Sequence, residues 1–184
     1  RTKGQGMIPN YQQFMRPFLE IAHAANGNEV KLRDVINELA DKFNLTEDER
    51  EETLPSGKQR VIDNRVGWAR TYLSKAGLLE VTRRAHFIIT ERGIKALQDK
   101  SVVIDNKYLK QFDEFIAFKD QKNVITNNDA ECNEDIDDIT PDEALRLAYK
   151  KINDSLALDI LERTRKVTPA FFEELLIELL VAMG

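Results

Sequence analysis

Residues 60–90, RVIDNRVGWARTYLSKAGLLEVTRRAHFIIT, decide how the chain is read. Wound at about 100° per residue, Arg60 to Ala76 put Ile62, Val66, Ala69, Leu73 and Ala76 on one face of a helix. Val61, Trp68 and Tyr72 flank that face. The opposite side carries Arg60, Asn64, Gly67, Thr71, Ser74 and Lys75, with Arg70 at its edge. Gly77 is placed to end the helix, with Lys75 in its last turn. Leu78 to Arg83 and Ala85 to Ile89 then read as two short strands joined at Arg83-Arg84, and Thr90 caps a further helix bearing Ile94 and Leu97.

Upstream, Tyr11 to Ala25 has helical apolar spacing at Tyr11, Phe14, Phe18, Leu19, Ile21 and Ala22, with Pro17 near a start or a kink. Asn26-Gly27-Asn28 stops it and Val30 to Leu32 is extended. Leu32, Val35, Ile36, Leu39, Ala40 and Phe43 form the stripe of a second helix. Thr46-Glu47-Asp48-Glu49 is a capping box for a short acidic turn, and Pro55-Ser56-Gly57 is a loop. The order helix, short strand, helix, helix, hairpin, helix predicts a mainly α fold with a winged helix-turn-helix over residues 7–98.

The polar side of residues 60–76 has the chemistry of a nucleic-acid contact. Asn64 suits an adenine edge and Arg60 or Arg70 a guanine or a phosphate, and Lys58, Thr71, Lys75, Arg83 and Arg84 join them as candidate DNA-binding residues. Gly67 in a helix centre costs about 1 kcal/mol against alanine and suggests close approach to the backbone. Between Lys58 and Lys95 nine basic residues face three acidic ones, a local charge of +6 in a chain of net charge −5. Such a patch is the expected footprint of duplex DNA; a basic helix face is often only solvated surface, and the helix order with the Arg83-Arg84 wing favours DNA. Arg65 falls on the apolar side and is expected to pair with a carboxylate of Glu47 to Glu52. Trp68 reads as packing, His86 as surface and His23 as helix-end packing.

Composition narrows the field. The 184 residues include one cysteine, Cys132, and two histidines, so neither an internal disulfide nor an ordinary structural zinc site is expected. No apolar run is long enough for a membrane span, no secretory signal is visible, and a cytoplasmic location without membrane contact is expected. Residues 1–6 read as a tag remnant ahead of Met7.

Four runs carry a family resemblance. Pro55-Ser56-Gly57-Lys58-Gln59, Asn64-Arg65-Val66-Gly67-Trp68-Ala69, Leu73-Ser74-Lys75-Ala76-Gly77-Leu78 and Ile89-Thr90-Glu91-Arg92-Gly93 resemble the N-terminal winged-helix domain of Mrr-type restriction endonucleases. Val167 to Glu173, with Leu179-Leu180 and Met183-Gly184, is similar to the first helix of that family's PD-(D/E)xK nuclease domain. The resemblance implies a DNA-binding N-terminal portion of a type IV enzyme acting on modified, typically methylated, DNA. It further implies a parent nuclease that uses Mg²⁺, held by an Asp and a Glu or Gln two residues before a Lys. Glu173 matches a glutamate accessory to that metal site. The Asp and the Glu/Gln-x-Lys pair have no counterpart before Gly184, so this chain is expected to have no cofactor, no catalytic residues and no nuclease activity of its own. Glu29-Val30-Lys31 has the spacing, but no Asp precedes it between Met7 and Asn28 and it lies inside the winged helix.

The remainder divides in two. Residues 99–139 read as an acidic linker with one helix near 107–119, where Tyr108, Leu109, Phe112, Phe115, Ile116 and Phe118 make a stripe. The acidic residues between Asp129 and Asp138 suit a solvated linker better than a DNA-mimicking strap, and they lack the glycine and final glutamate of an EF-loop. Residues 140–184 are helical: Thr140-Pro141-Asp142-Glu143 and Thr168-Pro169 are helix starts. Residues 171–183 are apolar nearly all round, which predicts a homodimer through 140–184. Two further functions fit the same sequence: a stand-alone winged-helix transcriptional regulator dimerising through its C-terminal helices, and a protein-interaction module without DNA.

Overall fold

A computed structural model of the chain describes residues 8–99, 102–123 and 139–183. Two compact units emerge, Arg1–Thr140 and Pro141–Gly184. In the first, α1 (Tyr11–Ala24) opens on a reciprocal capping box in which Gln13 N donates to Asn10 Oδ1 at 2.9 Å and Asn10 N to Gln13 Oε1 at 3.0 Å. The helix runs on through Pro17, which sits in its interior. It buries Tyr11, Phe14, Met15, Phe18, Leu19, Ile21 and Ala22.

Then follow β1 (Val30–Lys31), α2 (Leu32–Lys42), the short α3 (Glu47–Glu51), α4 (Val61–Lys75), β2 (Leu79–Arg83), β3 (His86–Ile89) and α5 (Glu91–Gln98). The three strands form an antiparallel sheet in the order β1-β3-β2, with Phe87 opposite both Val30 and Val81. β2 and β3 meet at a tight turn in which Ala85 takes a φ of 60°. α1 packs on α2, α4, α5 and β3, and Phe14, Phe18, Leu39, Ile62, Leu73, Leu78 and Phe87 fill the space between them. This element order and strand pairing are consistent with a winged-helix-type domain.

The joint between α4 and α5 explains two of the motifs. Gly77 leaves α4 at a φ of 72°, a left-handed conformation that suits glycine. The Thr90 hydroxyl donates to Gly77 O at 2.7 Å and accepts from Gly93 N at 3.1 Å, so one side chain ties the end of α4 to the start of α5. Arg92 Nη1 reaches back to Ala76 O at 2.9 Å. Gly93 lies so close beneath that a Cβ would stand 2.4 Å from Leu78 O and 2.7 Å from Ile89 Cγ1.

Residues 102–118, where the sequence suggests a linker, share the core of the first unit. Ile104, Leu109 of α6 (Asn106–Leu109) and Phe115 of α7 (Asp113–Asn123) are fully buried in it. Arg16 of α1 holds the approach to them by donating to the carbonyls of Leu97, Asp99 and Val102. Asn106 meets the Tyr11 hydroxyl, and its backbone N donates to Gln12 Oε1 at 2.8 Å. The acidic run Asp129 to Asp138, and residues 1–6, fall outside the described residues.

The second unit contains α8 (Pro141–Lys166) and α9 (Pro169–Met183). α8 ends on the four-residue pairs Asp159–Arg163 and Glu162–Lys166, at 3.0 and 2.8 Å. Thr168 caps α9 through Phe171 N at 3.4 Å. Among the described residues no helix is long and apolar enough to cross a membrane.

Two glycine substitutions separate these environments. Gly93→Ala forces a backbone shift and is expected to destabilise by about 1–3 kcal/mol. Gly67→Ala, where an added Cβ meets nothing within 4 Å, is expected to stabilise by up to about 1 kcal/mol. Urea midpoints of the two variants check both signs.

Candidate nucleic-acid interface

Burying Ile62, Val66, Ala69, Leu73 and Ala76 against the core turns Arg60, Asp63, Gly67, Arg70, Thr71 and Ser74 outward, all of them half-buried. Gly67 lies at the middle of this strip with open space above it. The Thr71 hydroxyl donates back to Gly67 O at 2.9 Å, so it caps the helix's own backbone. Arg70 keeps a buried Nε with no hydrogen-bond partner among the described residues, and its Nη2 lies 3.5 Å from Thr71 Oγ1.

The arginines at the ends of the strip are held by carboxylates. Arg60, at the N-cap of α4, grips Asp63 through Nε at 3.0 Å and Nη2 at 2.9 Å, and Glu51 Oε1 lies 3.5 Å from its Nη1. The Asp63 hydrogen bond raises the pKa of this guanidinium above its ordinary value. On the other side of Asp63 stands Arg33 of α2, at 3.8 Å. At the hairpin turn Arg83 pairs with Glu29, Nη2 to Oε2 at 2.9 Å, while Arg84 is exposed. The Thr82 hydroxyl first, and then the Arg83 charge, hold the Glu29 carboxyl below its ordinary pKa. Glu29 is thus the counter-ion of the wing turn.

Residues 29–33 join the two ends. Glu29 takes Arg83, Leu32 N donates to Ala85 O at 2.9 Å, and Arg33 reaches Asp63. Five consecutive residues therefore tie the tip of the β2–β3 hairpin to the first turn of α4. That brings Arg33, Arg60, Arg83 and Arg84 to one edge of the unit. Arg33 escaped the sequence reading because it lies on α2, outside the basic run. Lys58 is exposed in the loop before α4, and Lys75 is exposed with Nζ 5.3 Å from the Phe118 ring centroid.

Three residues stand elsewhere than their wheel positions suggest. Asn64 is buried, its Oδ1 accepting from Thr140 Oγ1 at 2.8 Å and its Nδ2 lying 3.4 Å from Gln59 Oε1. It belongs to a flank of α4 with Trp68, Tyr72 and Lys75, which α7 and Thr140 cover. Tyr72 meets Phe115 and Phe118 with ring centroids at 5.4 and 6.1 Å, and Trp68 packs on Tyr72 at 5.8 Å. Arg65 turns to the carbonyls of Ile8 and Pro9, and the acidic turn gives its Glu51 to Arg60 instead. His23 is exposed rather than packed at its helix end.

Glu173 is exposed on α9. Among the described residues no group of three or more His, Cys, Asp or Glu side chains could hold a metal ion. The outward strip of α4 presents Arg60, Gly67, Arg70 and Thr71 along one helix face.

Residues 11–99 match the family described as the Mrr N-terminal domain. The chain is 27% identical over 183 residues to the Type IV methyl-directed restriction enzyme EcoKMrr of Escherichia coli (strain K12), a match covering 96% of this chain and 60% of that enzyme. The chain thus spans about three fifths of the length of this curated relative. No solved structure matches it.

Asp63→Asn removes the negative charge that Arg33 and Arg60 share. It is expected to cost about 1 kcal/mol of stability, the scale of a partly exposed ion pair. It also takes the carboxylate from beside Arg33 and leaves Arg60 with Glu51 alone, so the variant should leave a heparin column at higher salt than the wild type. Elution at the same or lower salt would show that these arginines are not available to anions.

Proposed function

We propose, from the premise that residues 11–99 form an Mrr N-terminal domain, that the chain is the duplex-DNA-binding portion of a restriction system. The observation that carries this reading is the tie through residues 29–33, which sets the hairpin tip beside the first turn of α4. A helix laid in the major groove with a neighbouring hairpin on the backbone needs this geometry. Arg33, Arg60, Arg83 and Arg84 contact phosphates, with Lys58 and Lys75 flanking them. The strip at Gly67, Arg70 and Thr71 faces the groove floor, where the missing side chain lets a base edge approach the helix.

The whole protein, on this proposal, acts on methylated DNA, as the name of the Escherichia coli relative says of that enzyme. The nuclease chemistry would be supplied by Mg²⁺. The described residues of this chain do not fit a metal ion, and their part is to bind and orient the duplex. The second unit is proposed to pair with a second copy. Its support is the exposure of large apolar side chains on both helices, such as Leu145 at 71%, Leu158 at 68% and Leu180 at 66%. Sedimentation should give twice the monomer mass; a monomer at high concentration would refute the pairing.

Duplex binding at several salt concentrations tests the interface. Each phosphate contact contributes about −0.9 to the slope of log K against log salt. Changing Arg60, Arg70, Arg83 and Arg84 together to glutamine removes three phosphate contacts, so it should flatten the slope by about 3 and weaken binding by at least about tenfold at low salt. An unchanged slope in a folded variant would place the interface elsewhere. Methylated and unmodified copies of one duplex, compared with the wild type, test the modification preference.

A further inference from the structure

The arginines of the outward face divide by what holds them. Arg33 and Arg60 lie 3.8 and 2.9 Å from Asp63, and Arg83 lies 2.9 Å from Glu29. Arg70 has no carboxylate beside it among the described residues. Its Nε is buried without a hydrogen-bond partner, and its Nη2 reaches Thr71 Oγ1 at 3.5 Å, the outer limit of such a bond. The Thr71 hydroxyl gives its own proton to Gly67 O, so towards Arg70 it can only accept. A guanidinium that is partly dehydrated and has no anion beside it gains more from a new acceptor than a hydrated one does. Arg70 is also half-buried, so a ligand has less side-chain freedom to take from it. Helical side chains lean towards the start of their helix. Arg70 therefore leans towards Gly67, one turn earlier, where the place of a Cβ has no atom within 4 Å. An arginine without an anion thus stands beside a gap in the surface of α4.

Resting on the DNA-binding reading above, we propose that Arg70 is the guanine-reading residue of this interface, and that Arg33, Arg60, Arg83 and Arg84 contact phosphates only. A base edge that enters the gap at Gly67 meets the terminal nitrogens of Arg70, and an arginine fork spans guanine O6 and N7 together. Arg60 is the poorer reader, because Asp63 already occupies its Nε and Nη2 at 3.0 and 2.9 Å. Arg84 has no carboxylate beside it among the described residues either, but it stands at the hairpin tip and not on α4. The two roles differ in kind. A phosphate contact strengthens every duplex alike and steepens the salt dependence, whereas a base contact sets a preference at one position and leaves the salt dependence as it was.

The test gives the full chain a pool of duplexes randomised in the middle and measures the enriched sequence at several salt concentrations. The wild type should enrich a duplex with a fixed guanine. Arg70→Gln should lose the preference at that one position, about fivefold to a hundredfold, the worth of one bidentate pair. Its slope of log K against log salt should match the wild type. Arg84→Gln should keep the guanine preference, weaken every duplex alike and flatten the slope by about 0.9. An Arg70→Gln protein that keeps the preference, or that weakens all duplexes alike with a flatter slope, overturns the assignment and leaves the DNA-binding reading standing. Wild type that binds every member of the pool equally also overturns the assignment. Wild type that binds no duplex overturns the DNA-binding reading, and the assignment with it. Should Arg70→Gln fail to fold, the wild type decides. 7-Deazaguanine at the selected position, which lacks the N7 acceptor, should weaken binding about three- to tenfold, the scale of one hydrogen bond. Unchanged affinity rejects the proposal.

Discussion

The packing of α4 against α1 is the constraint on which the rest depends. One stripe of α4 must be apolar enough to close the core, and that fixes the rotation of the helix and hence which residues look outward. Ile62, Leu73 and their neighbours meet the face of α1 that bears Phe14 and Phe18. With burial worth about 25 cal/mol per Å², this face outweighs any preference of the polar side chains. The outward strip at Arg60, Gly67 and Arg70 is therefore set by the core. The length of α4 is set in turn by Gly77, Thr90 and Gly93, which end the helix and start α5 at one joint.

Electrostatics then distributes the interface. Every arginine brought to the edge by residues 29–33, except Arg84, has a carboxylate beside it: Asp63 for Arg33 and Arg60, Glu51 for Arg60, Glu29 for Arg83. These pairs are partly exposed and individually weak, so on the proposed reading a polyanion that releases counterions would compete with them. They orient the guanidiniums without committing them. A chain with net charge −5 can in this way carry a cationic face that is screened in the free protein.

The sequence makes the local features plain and hides the distant ones. The 3.6-residue spacing of Ile62, Val66, Ala69 and Leu73 identifies α4, and Gly77 and Thr90 mark its end and the next beginning, because each of these is a short-range requirement. Arg84 at a hairpin tip is equally visible. Asn64 is not, since a residue at the boundary of a wheel is decided by what packs alongside, here Thr140. The phenylalanines of α7 show a helical stripe, yet nothing in that stripe says that its partner is the Tyr72 flank of α4. Arg33 and Arg65 are concealed for the same reason: the groups they meet, Asp63 and the carbonyls of Ile8 and Pro9, are brought near only by folding.

The central claim is that the outward strip of α4 and the neighbouring hairpin tip together receive duplex DNA. Backbone amide shifts followed by NMR during titration with a duplex test it most directly. The account predicts the largest changes at Gln59, Arg60, Gly67, Thr71 and Arg84, with residues 29–33 moving alongside them. Shifts confined to α5, to α6 or to the second unit, with α4 and the hairpin silent, would contradict it.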